Sequence, residues 1–359
     1  MSVISSEPAQ GRLKPIEEFE TVLASLPPKE QSRIESLMTL LYRTSSIGAA
    51  ETAAVVGEDV TLAARLIRVA NTVHYGAGIP VMNAEAATVR LGADRTKALA
   101  IASYAGDLLG QVADTTFQFN RFWQVGLIRG SLARAIAMNC DRRLAGKAFL
   151  VGVLQSIGVP LMTSFGAKYA SLIEKSQGCL QRLAILEWQS FNFNHIHVAL
   201  HLLEQWKTPV DVKTAIARHQ TNPPLGSDVD AVLRLWQIAY FVNAVPLGIE
   251  RPTTFKDAFL SQLLNSCFGE IGTSISRLLE QARAEYEDVA GLFESYLSRD
   301  VGVEEQLRPI GLLLRGECNS SGVEGPGRSN CEFDSNSDAG RSPGRDGSSQ
   351  TVPVAIKPL

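Results

Sequence analysis

The run Ala148 to Met162, AFLVGVLQSIGVPLM, decides the fold: one polar pair, Gln155 and Ser156, interrupts otherwise continuous core-type residues. Leu150, Val153, Leu154 and Ile157 recur at i, i+3, i+4 and i+7, the spacing of a single helix face. Gly152 and Gly158 let a neighbouring backbone come close, and Pro160 ends or kinks the helix before it. A polar pair in such a helix costs free energy unless it is hydrogen-bonded. Gln155 and Ser156 are therefore expected to bond to each other's backbone or to neighbouring helices and hold the core closed.

Helical spacing continues on both sides. Towards the N-terminus, Ile34, Leu37, Met38 and Leu41 mark a helix from Pro28 to about Arg43, and a second runs from about Gly48 to Val56, closed by Gly57. Asp59 is placed to cap a third, with Leu62, Leu66, Val69 and Val73 as its buried stripe, and Gly92 is a C-cap. Towards the C-terminus, helices are expected over about 118–139, 142–156, 165–176, 180–190, 194–206, 208–219 and 228–244. From 255 to 314 the pattern stays helical, with a stripe at Leu278, Leu279, Ala282, Tyr286, Val289 and Phe293. No stretch shows sustained period-2 alternation. The fold class is all-α, in two lobes with a C-terminal helical extension: 1–15 flexible leader, 16–112 N-terminal lobe, 113–250 second lobe, 251–315 extension and 316–359 tail. Phe117, Phe119, Phe122 and Trp123 are expected to pack at the junction, since four clustered aromatics would otherwise leave an apolar patch. From Gly316 to Ser349 there are seven Gly and eight Ser but no Leu or Ile, which predicts a disordered tail.

Composition narrows the function classes. A chain of 359 residues, 45% hydrophobic, has length for about two domains and a sizeable core. Its net charge of −3, from 34 basic and 37 acidic residues, gives no electrostatic case for nucleic acid. Five widely spaced cysteines without C-x-x-C fit reduced thiols, and the N-terminus lacks the pattern of a signal peptide, so a cytoplasmic location is expected. Leu235 to Ile249, taken as the longest apolar region, is too short to span a membrane.

The opening run resembles the helix that carries the His-Asp pair of HD-type phosphohydrolases, apolar-Leu-His-Asp-Ile-Gly, with Gln155-Ser156 in place of the pair. RFWQVGLIRGSLA, 121–133, resembles the family's Phe-Trp-x-His-Ser-Leu-Ala helix, and NHIHVALHLLEQWKTP, 194–209, its Asp-His-x-x-x-Gly…Trp-x-Leu-Pro segment. In the N-terminal half, EDVTLAARLIRVANTVHYG and AEAATVRLGADRTKALAIAS resemble the Asp-Pro-x-Leu…Ala-Asn-Ser-x-x-Tyr-Gly and Ala-x-x-x-Leu-Gly signatures of HDOD domains, HD-related output domains of bacterial signalling proteins. The resemblance spans roughly 20–245. Asn71, at the signature's Asn, is read as satisfying backbone groups at a helix end. The resemblance implies a metal site at a first His, the His-Asp pair and a later Asp. Those positions fall on Val125, Gln155, Ser156 and Tyr240, none of them a usual ligand for a hard cation.

No metal or other cofactor is therefore expected. His197 and His201 have i, i+4 ligand spacing, but the zincin Glu and a third ligand are missing. His195 and His219 fall on family His positions, with Gln220 at the second of its usual His-His pair. The resemblance implies a signalling or regulatory protein, and with the ligand positions replaced it is expected to be non-catalytic and to bind a protein partner, with neither nucleic acid nor membrane expected. One alternative is a metal-dependent phosphohydrolase of nucleotides or cyclic dinucleotides. Another is a small-molecule sensor whose old cleft is lined by Gln155, Ser156, His195 and His219.

Overall fold

The computed structural model describes residues 26–43, 48–72, 79–245, 257–268 and 275–293, all within one contact unit, 1–318. The expected leader 1–15, the expected tail 316–359 and Val73 lie outside the described residues.

Among the described residues every regular element is helical. The N-terminal group is α1 (Pro28–Arg43), α2 (Ala49–Gly57), α3 (Val60–Ala70), α4 (Ala84–Leu91) and α5 (Ala93–Val112). Asp59 caps α3 by accepting from the N–H groups of Thr61 and Leu62, and Leu62, Leu66 and Val69 are buried in the order the spacing predicts. Asn71 closes the same helix and exchanges two hydrogen bonds with the backbone of Val81: its Nδ2 donates to the carbonyl, and its Oδ1 accepts from the N–H, both at 2.8 Å. Gly92 ends α4 with φ +84°.

The second group begins with α6 (Phe119–Cys140), then a 3-10 turn at Arg142–Leu144 and α7 (Ala145–Leu154). The expected helix 142–156 stops at Leu154 and resumes as α8 (Gly158–Met162). Pro160 explains the break. It has no N–H to offer the carbonyl of Ser156, which accepts instead from Val159 N–H at 3.0 Å. After a 3-10 turn at Thr163–Phe165 come α9 (Ala167–Ser176), α10 (Leu180–Phe191), α11 (His195–Gln205), α12 (Val210–Arg218) and α13 (Ala231–Ala244). α14 (Asp257–Phe268) and α15 (Ile275–Ala290) follow, with a last 3-10 turn at Gly291–Phe293.

One hydrophobic cluster runs through all these groups. Phe119, Phe122 and Trp123 are buried at the junction, Phe119 stacking on Trp123 with ring centroids 5.8 Å apart, and Phe117 packs on Phe122. All six stripe residues of the C-terminal segment are buried, and α15 lies against α6. Glu285 of α15 pairs with Arg95 of α5 at 2.8 Å and with Arg134 of α6 at 3.2 Å, tying three helices together.

The stretch 142–165 corrects the sequence reading of apolar length, because it outranks Leu235–Ile249. By length and hydropathy it could cross a membrane, yet 89% of its apolar window is buried inside the protein. It is the central core strip, covered by α6, α12 and α13.

Candidate functional site

α6 and α7 pack as an antiparallel hairpin, and the approach is close enough to exclude a side chain at Gly152. A Cβ there would lie 2.6 Å from the Arg129 carbonyl. The same hairpin sets Gly126 against Val153, which brings the Val125 position beside the end of α7 where Gln155 and Ser156 turn. α13, which carries Tyr240, packs on both helices. Beyond the turn, the chain rests on the backbone of α11: a Cβ on Gly158 would fall 1.9 Å from the carbonyl oxygen of His195. The four positions carried over from the family thus sit on helices that pack together or, for Gln155 and Ser156, in the turn at the end of one of them.

Their chemistry does not fit a bound cation. Val125 has no donor atom, and Gln155 and Ser156 offer only neutral oxygens. Burial pushes the Tyr240 phenol up to about 12, so it stays protonated at neutral pH. Among the described residues, no three His, Cys, Asp or Glu side chains gather where they could hold a metal ion.

The expected hydrogen bonds of the polar pair are not made. Gln155 and Ser156 are 1% and 4% exposed, and Gln155 Oε1, Gln155 Nε2 and Ser156 Oγ have no protein partner. Tight packing sets the backbone path here, and the side chains follow without finding acceptors or donors. His195 and His219 are fully buried as well, so none of the four residues expected to line a cleft faces an opening to solvent.

His195 is nevertheless well provided for, by a residue that sequence reading missed. Glu187 of α10, itself fully buried, accepts from His195 N–H at 2.8 Å and from Tyr169 OH at 2.6 Å, and its Oε2 lies 2.7 Å from His195 Nδ1. With Nδ1–H donating to the carboxylate, Nε2 is left as an acceptor, and Gln220 Nε2 approaches it at 3.4 Å. Burial beside Glu187 pushes the Tyr169 phenol well above its ordinary range. A carboxylate–imidazole pair can orient a general base, but this one has its free nitrogen covered by Gln220 and no exposed surface. His219, next in the chain, holds the Ile216 carbonyl at 2.7 Å from Nδ1. Burial lowers its pKa to about 3, against the opposing hydrogen bond to the Ile216 carbonyl and with the Arg129 guanidinium adding to the fall. Glu187 had one visible sign in the sequence: it occupies the apolar stripe position of α10 between Leu183 and Phe191.

His197 and His201 do not form a metal pair. His197 Nδ1 lies 2.7 Å from Asn194 Oδ1 in the cap of α11, and its ring packs on Trp188 with centroids 5.5 Å apart, while His201 is exposed.

Residues 27–222 match the family model of the HDOD domain. Among solved structures, an HDOD domain protein of unknown function from Geobacter sulfurreducens is 17% identical, with a TM-score of 0.57, covering 84% of this chain and 97% of its own. A protein from Shewanella amazonensis SB2B, provisionally assigned as a phosphohydrolase, is 20% identical with a TM-score of 0.57, covering 81% and 100%. A provisionally assigned signal transduction protein from Marinobacter aquaeolei VT8 is 21% identical with a TM-score of 0.52, covering 80% and 61%. These likenesses concern the fold. No curated protein matches the chain. With the family model matching more than half of its length, the chain belongs to the HDOD domain family.

Proposed function

We propose that this chain is a non-catalytic HDOD protein that acts in signalling or regulation by binding another protein. The observation that carries the reading is the donor set at the positions where the HD fold would hold its metal: Val125, Gln155, Ser156 and Tyr240. A cation activates water by lowering its pKa, and it stays only where imidazole and carboxylate ligands hold it. Burial supports the same reading, because Gln155, Ser156, His195 and His219 are all buried. A domain relieved of chemistry keeps its surface for partners.

The test is metal analysis of protein prepared without chelators, beside an assay on cyclic and linear dinucleotides. Neither stoichiometric iron, manganese or zinc nor turnover is expected. Near-equimolar metal with turnover that is lost in Gln155→Ala would overturn the reading in favour of a phosphohydrolase. Affinity purification from the protein's own cells, followed by reciprocal capture with purified candidates, tests the partner half.

A further inference from the structure

We draw no further inference here: the strongest candidate, the exposed apolar surface patch of Ile79, Met82 and Val89 around α4, carries nothing because nothing in the structure shows what covers it.

Discussion

Trp123 of the family domain meets Phe293 of the C-terminal extension edge to face, their ring centroids 6.1 Å apart and both rings fully buried. The family model ends at residue 222, so the domain's central tryptophan is sealed by a residue from beyond the match. Phe293→Ala should cost about 3–5 kcal/mol in denaturant unfolding, the usual range for emptying a buried aromatic site. The Trp123 emission should also move towards that of a solvated indole. An unchanged midpoint and spectrum would show that the extension is not part of the core.

Asn71 should be nearly irreplaceable. Asn71→Ala leaves the N–H and carbonyl of Val81 without the partner they have now, a loss of about 1–3 kcal/mol for each group that fails to find water. Asn71→Asp keeps the acceptor and loses the donor, so its midpoint should fall between those of wild type and Ala.

Two glycines with different constraints should respond differently to alanine. At Gly158 a Cβ would collide with the His195 carbonyl, whereas at Gly166 the space is open and only the φ of +63° resists. Gly166→Ala should cost about 1 kcal/mol, while Gly158→Ala requires α8 and α11 to separate and should cost about 3 kcal/mol or more. Equal losses in thermal melts would refute the close backbone contact.

Gln155→Met is expected to be neutral or to raise stability by about 1 kcal/mol. The change keeps length and volume while removing two buried polar atoms that have no protein partner. A marked loss of stability would mean that the Gln155 amide is satisfied after all.

Acid sensitivity should come in part from His219. Its folded-state pKa, lowered to about 3 by burial, lies below the ordinary value of an unfolded histidine, about 6.5. Above that value both states are neutral and the group contributes no slope. As pH falls from about 6.5 towards 3, the unfolded state takes up a proton that the folded state refuses, and stability drops by up to ~1.4 kcal/mol per pH unit. His219→Asn, which retains a donor for the Ile216 carbonyl, should flatten the profile between pH 6 and 4, roughly the interval just below an ordinary histidine pKa. Urea midpoints across that interval check the sign.

Helices, caps and stripes were legible because each depends on neighbours within one or two turns. Asp59, Asn71 and Gly92 do what their residue types suggest, and the stripe from Leu278 to Phe293 is buried throughout. The break at Gln155–Ile157 was half legible: Pro160 announced it, but the close seat of Gly158 on the backbone of His195 that follows it was not. What sequence could not supply was pairing across the fold. Glu187 and His195 are eight residues apart and lie on different helices, and the orphaned amide of Gln155 becomes visible only when its surroundings are known.

Burial of the 142–165 strip has a consequence for synthesis. This segment leaves the ribosome before α13 and α15, the helices that later cover it and its partner α6. At ordinary elongation rates the interval is on the order of 10 s, long compared with hydrophobic collapse and long enough for a membrane-targeting factor or chaperone to bind an exposed apolar strip. The nascent chain therefore passes through a stage at which its most apolar part is covered by α5 and α6 on one side while α12 and α13, which close the other, are still to be made.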